Sequence, residues 1–190
     1  IEGLEIIATT NPKLAASVSS VASFFFSRVD TELNSQLEQV GSEQANDLLG
    51  TSAINQAKLA YQMFKRSFAG PRWSKLAQLG ANVQRPLWAS TSTKNPKYPD
   101  TLYVDALIGE HTVNTLPDTT VEAFSDHGSL NSTIETNLDL ANTQWAGLKK
   151  VGVDVTEVAA KLEREGVASF QKSFDELLAA LSAKTAELLK

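Results

Sequence analysis

An α/β fold that is only part of a larger domain is what the sequence predicts, and three observations predict it. Short apolar stretches such as VASFFF (residues 21–26) and PLWA (86–89) alternate with helical patterns, and that alternation implies parallel strands joined by right-handed crossovers. The stretches are apolar almost without interruption, as expected of strands covered on both faces. Only three such strands are evident in 190 residues, whereas a closed barrel of eight βα units takes about 250 residues. Three parallel strands alone leave two open edges. The expectation is therefore three units of a TIM-type (β/α)8 barrel followed by an all-helical tail.

The elements are read in order. Residues 18–26 (VSSVASFFF), β-branched and aromatic, read as the first strand. Asp30, Thr31 and Glu32 suit the first turn of the helix behind it. A single long helix is expected over about residues 44–69, because Ile54, Ala57, Tyr61, Phe64 and Phe68 recur at steps of three and four. Gly70-Pro71 ends it, and a shorter helix holds Trp73, Leu76 and Leu79 up to Gly80. Residues 86–90 (PLWAS) form the second strand and run into a polar loop with turn signals at Pro96 and Pro99. Leu102 to Ile108 make a helical turn or two, stopped by Gly109, and residues 112–116 (TVNTL) are the third strand. Thr119 with Glu122, and again Asp154 with Glu157, have capping-box spacing and open helices. Leu138, Ala141, Trp145 and Leu148 stripe one helix, ended by Gly152, and Gly166 is expected to end the next. Phe170, Phe174, Leu177, Leu181 and Leu188 mark a last helix.

Composition narrows the function classes. Hydrophobic residues at 42% and charged residues at 21% are a globular balance. The net charge is −5 and no basic run exceeds two residues, which argues against a nucleic-acid partner. With no cysteine there is no disulfide, thiolate metal site or Cys nucleophile, which suits a reducing cytoplasm. No apolar run reaches the roughly 18–20 residues of a membrane span, and no signal peptide is evident. The chain opens at Ile1-Glu2-Gly3-Leu4 without Met, which reads as a cut or processed start.

Each strand ends in polar groups, where barrel enzymes place their sites. Ser23 and Arg28 stand in or just after the end of the first strand, Ser90, Thr91 and Lys94 of the second, and Asn114 and Thr115 of the third. Hydroxyls, a guanidinium and an ammonium converging on one barrel mouth would bind an anion, with Arg supplying a planar fork and Lys a point charge. The alternative is that Arg28 and Lys94 are solvated loop charges. Lys94 is a poor nucleophile, since a reactive lysine needs an apolar pocket to deprotonate it and the surrounding loop is polar. His111 and His127 make no thiol-free zinc set by themselves, and adjacent Asp126-His127 read as a polar loop. No metal site or cofactor is expected.

Four segments carry a family resemblance. VASFFFSRVDTE (21–32), QRPLWASTSTKNP (84–96), YPDTLYV (98–104) and TVNTLP (112–117) resemble strands six to eight of bacterial transaldolases of the longer actinobacterial and cyanobacterial type. The resemblance implies the C-terminal part of a TIM (β/α)8 barrel. Residues 1–130 would form the last three βα units of a class I aldolase-type barrel, and residues 131–190 C-terminal helices packing on the same domain. It implies that Ser23, Arg28, Ser90 and Lys94 hold a sugar phosphate, and that Phe25 borders the substrate pocket or lies in the core. In shorter members an Arg stands two places after the second Ser. Here Lys94 stands four places after Ser90, a departure that weakens its assignment.

The family's chemistry is covalent. A lysine on strand four forms a Schiff base with a ketose phosphate such as sedoheptulose 7-phosphate. A dihydroxyacetone unit then passes to an aldose phosphate such as glyceraldehyde 3-phosphate, in the pentose phosphate pathway. The strand that would carry this lysine is absent from residues 1–190, so no catalytic residue is expected here. The chain alone is expected to be inactive and to need the N-terminal half of the barrel as partner. The alternative is a non-catalytic phosphosugar-binding or assembly fragment.

Overall fold

The computed structural model describes residues 1–189, which divide into two compact units, Ile1–Val153 and a second from Asp154 on. The first unit opens with two helices, α1 (Glu2–Thr10) and α2 (Pro12–Ser17), which the sequence reading left unassigned. Asn11 accepts from the Leu14 amide and Pro12 occupies the first turn, so local capping chemistry starts α2. Strand β1 (Ser20–Phe25) follows, and helix α3 (Phe26–Val40) begins at the very next residue. That start is four residues earlier than the acids at 30–32 suggest, and it places Arg28 in the first helical turn.

The long helix expected over about 44–69 is two helices, α4 (Glu43–Asn46) and α5 (Ser52–Ser67). Gly50 breaks it, with φ of 72°. Its N–H donates to Asn34 Oδ1 on α3 at 2.9 Å, and a Cβ there would stand 2.8 Å from the Tyr98 ring. Only glycine fits a left-handed backbone under an aromatic ring. Helix α6 (Pro71–Gln78), strand β2 (Gln84–Ala89), helix α7 (Leu102–Ala106) and strand β3 (Val113–Asn114) come next. Strand β3 is only two residues long. Helix α8 (Asp118–His127) starts after Pro117, which offers no side-chain cap, so the Thr119–Glu122 box does not form. Helix α9 (Leu138–Lys150) closes the unit and packs along α5.

The sheet has the order β1-β2-β3 with both pairings parallel, as predicted. Ser20 lies level with Gln84 and Phe25 with Ala89, so the C-terminal ends of β1 and β2 stand side by side. One sheet face is covered. Phe24 and Trp88, directly opposite each other, turn to a core of Phe26, Ala53, Ala57, Tyr61, Tyr103, Leu107 and Ile134. Val21, Ser23 and Phe25, on the other face of β1, are exposed.

The second unit is one helix, α10 (Val155–Leu188), of 34 residues. Asp154 caps it by accepting from the Thr156 and Glu157 amides. Gly166, expected as a terminator, lies mid-helix. The helix continues through it, since an interior glycine costs only about 1 kcal/mol. Among the described residues no helix is long and apolar enough to cross a membrane.

Candidate functional site

The strand ends are stitched together by groups that the helices leave unpaired. Helix α3 has no side-chain cap, because Phe25 occupies the capping position. Its first amides therefore need acceptors from elsewhere. The Ser27 N–H finds one in the Ser90 carbonyl at 3.1 Å. Ser90 reaches this position with φ of 55°, a left-handed conformation uncommon outside glycine. One residue on, the fully buried Thr91 donates its hydroxyl to Asn114 Oδ1 at 2.7 Å. Thr115 N–H donates to the Trp88 carbonyl at 3.0 Å. The three strand ends are thus tied in a row, β1 to β2 through Ser27 and Ser90, and β2 to β3 through Thr91 and Asn114.

The predicted residues distribute around this seam. Ser23 and Phe25 lie on the uncovered sheet face, and Phe25 is 55% exposed, so it has no place in this chain's core. Arg28 is exposed in the first turn of α3, next to the residue that bonds Ser90. Lys94 shares a cleft with Ser27, the residue that bonds Ser90. It donates to Ser92 Oγ at 3.2 Å, and the other walls of the polar cleft, of about 270 Å³, include Asp30, Asn34, Glu38 and Tyr103. A larger groove, about 750 Å³, runs between β1, α5 and α9 past Phe24, Met63, Phe64 and Trp145. Its walls are mainly apolar, and none of the five predicted residues lines it.

Below the seam is a buried cluster that the sequence did not reveal. Asp30, 3% exposed, accepts on Oδ2 from the Tyr103 hydroxyl at 2.7 Å and from Asn34 Nδ2 at 3.2 Å. Its carboxyl also meets the Ala53 backbone amide. Burial raises the Asp30 carboxyl above the ordinary range, and the hydrogen bonds from Tyr103 and Asn34 only partly oppose this. The Tyr103 hydroxyl is pushed up too, by burial and then by the Asp30 charge. The cluster pins α3 to α7 and so fixes the turn that carries Arg28. Its partners are 73 residues apart in sequence, and no local signal pairs them.

Two further titratable groups have structural employment. Lys58, a buried lysine whose ammonium is disfavoured by desolvation, donates to the Thr136 carbonyl at 2.7 Å and to its hydroxyl at 3.2 Å. It joins α5 to the segment before α9. His127 lies between Asp100 at 2.8 Å and Asp126 at 3.1 Å, a surface clamp holding the 96–101 turn to the end of α8. Asp100 first, and then Asp126, raises its pKa above the ordinary 6.5. A raised value means the clamp's contribution is whole below the ordinary value and is lost as pH rises through the folded one. In an NMR titration His127 should therefore titrate above its ordinary value, and Asp100→Asn should bring it back down. A wild-type His127 titrating at or below the ordinary value would contradict the clamp.

Comparison with known proteins agrees with the family resemblance. The family model described as Transaldolase/Fructose-6-phosphate aldolase matches residues 7–181. A transaldolase of Frankia alni is 47% identical over 168 residues, covering 88% of this chain and 45% of that protein. One from Mycobacterium leprae is 47% identical over 180 residues, covering 94% of this chain and 48% of the relative. One from Thermobifida fusca is 46% identical over 164 residues, covering 86% and 45% respectively. The chain spans about half the length of the curated relatives it matches. A family match across more than nine-tenths of the sequence, at this identity, leaves one assignment: the chain belongs to the transaldolase/fructose-6-phosphate aldolase family.

Proposed function

We propose that this chain is the phosphate-gripping half of a transaldolase. Residues 1–130 are the last three βα units of a TIM-type barrel, and residues 131–190 are C-terminal helices of the same domain. The reading is carried by the Ser27–Ser90 hydrogen bond at the level ends of β1 and β2. It joins the two segments that hold Arg28 and Ser90, on the side of a parallel sheet where barrel enzymes act. Ser23 and Phe25 on the uncovered face then point towards the barrel interior. The N-terminus of the 15-residue α3 adds partial positive charge beside Arg28.

In this role Ser23, Arg28 and Ser90 hold the phosphate of a ketose or aldose phosphate such as sedoheptulose 7-phosphate or glyceraldehyde 3-phosphate. The phosphate is not itself transformed. Its grip positions the sugar carbonyl for a Schiff-base lysine in the other half, which passes a dihydroxyacetone unit from donor to acceptor. Lys94 adds charge from the flank, tempered by Asp30 and Glu38 in its cleft. Sugar-phosphate substrates and the absence of cysteine fit a cytoplasmic setting. No cofactor is needed.

The chain alone should be inactive, because the Schiff-base lysine lies outside it. Borohydride reduction in the presence of fructose 6-phosphate should leave its mass unchanged. An adduct on Lys94 or Lys58 would move the nucleophile into this half and overturn the division of labour.

A further inference from the structure

Ser90 follows the last residue of β2 and does not continue the strand. Trp88 turns to the covered face, so an extended Ser90, two residues on, would turn there as well. Its φ of 55° breaks that alternation, and the residue is half-buried. A serine in the left-handed region is strained, and such a conformation persists only where its surroundings over-determine it. At Gly41, Gly50, Gly80 and Gly152 the chain meets positive φ with glycine, which adopts it freely. His111 and Asn137 share the conformation, but His111 precedes β3 and Asn137 stands at the start of α9. Among the described residues, Ser90 is the strained side chain that directly follows the end of a strand.

Three contacts hold the turn. Before it, Ala89 is level with Phe25 in the parallel ladder. At the turn, the Ser90 carbonyl accepts from the Ser27 amide at 3.1 Å. After it, Thr91 is fully buried, although its successors Ser92, Thr93 and Lys94 are not. The Thr91 hydroxyl donates to Asn114 Oδ1 at 2.7 Å, and Asn114 is level with Trp88 in the sheet. Valine has nearly the same shape as threonine, so filling the space does not require a hydroxyl. What the hydroxyl adds is a directional tie from the loop to β3, satisfied at both ends.

We propose that Thr91 and Asn114 are positioning residues for the phosphate grip: their hydrogen bond holds Ser90 in its left-handed turn, and the turn presents the Ser90 hydroxyl to the phosphate. The proposal deepens the phosphate-gripping reading above and rests on it. Neither positioning residue touches the ligand. Without the tie the strained turn relaxes to extended backbone, and the Ser90 hydroxyl swings towards the Trp88 side of the sheet. This also accounts for a serine at a turn where glycine would be unstrained.

Ser23, Arg28 and Ser90 all lie in this chain, so the test uses the 190-residue chain itself, with inorganic phosphate as the probe. Phosphate is titrated at constant ionic strength and followed by NMR at the amides of Ser23, Arg28 and Ser90. The Ser90 Cα and Cβ shifts report its backbone conformation in the same samples. Thr91→Val should weaken binding about tenfold or more, the worth of one hydrogen bond to a charged group. It should also move the Ser90 shifts from left-handed to extended values. Thr91→Ser, which keeps the hydroxyl, should restore both. If Thr91→Val does not fold, Asn114→Ala removes the acceptor at a half-buried position and is read in the same way. Unchanged affinity in the variant, where the wild-type chain binds at these amides, overturns the proposal and leaves the phosphate reading standing. A loss of affinity with the Ser90 shifts unmoved also overturns it, because the tie would then act only on the fold. An equal loss in Thr91→Ser overturns it too, by making the methyl group responsible. A wild-type chain that binds no phosphate at these amides removes the phosphate reading, and the proposal with it.

Discussion

Arg28→Ala in the assembled enzyme is expected to raise KM for glyceraldehyde 3-phosphate about 10–150-fold, the worth of a charge-assisted hydrogen bond of roughly 1.5–3 kcal/mol. Arg28 lies in the first turn of α3, beside the Ser27 amide that binds the Ser90 carbonyl. The proposed role requires its guanidinium to reach an anion held at the seam. If the grip is equally strong in ground and transition states, kcat stays nearly constant. If phosphate binding also aligns the reacting carbonyl, kcat falls as well. Either way the loss should shrink for unphosphorylated glyceraldehyde, which never makes the contact. Lys94→Ala should act in the same direction but more weakly, because the Lys94 cleft already holds Asp30 and Glu38. The measurement is kcat/KM for both acceptors in each variant. An equal loss on both for Arg28→Ala would mean that Arg28 supports the fold, and the phosphate assignment would have to be dropped.

Trp88→Ala is expected to cost about 3–5 kcal/mol of folding stability, as for large-to-small changes in a closed core. Trp88 is 1% exposed, and its ring centre lies 5.6 Å from those of both Phe24 and Phe26. Its indole N–H donates to the Leu107 carbonyl at 3.1 Å. Removing it opens a cavity between the sheet and α7 and leaves a buried carbonyl unpaired. Trp88→Phe keeps much of the packing and loses the hydrogen bond, so it should cost less, about 1–3 kcal/mol. Urea unfolding of the three proteins measures the difference. A loss below about 1 kcal/mol for Trp88→Ala would show that the sheet and helices are not coupled through this side chain.

The sequence by itself determined the strands, their parallel pairing and the strand-end motifs. Continuous apolar stretches such as PLWA signal strands, but the expected burial on both faces is not met, since Val21, Ser23 and Phe25 on one face of β1 are exposed. The residues at the strand ends carry the family resemblance. Ser23, Arg28 and Ser90 were singled out as candidates for that reason. Only the tertiary structure decided matters that depend on distant partners. It split the helix at Gly50, because Asn34 on α3 and the Tyr98 ring fix that turn from outside the segment. It left Gly166 inside α10, where no contact demands a left-handed turn. It paired Asp30 with Tyr103 and Lys58 with Thr136, across 73 and 78 residues respectively. It also separated two adjacent phenylalanines, putting Phe24 against Trp88 and leaving Phe25 exposed on the opposite face. Alternation along a strand requires that neighbouring side chains face opposite ways. Which of the two faces becomes core depends on where the helices pack, and that is set by contacts from elsewhere in the chain.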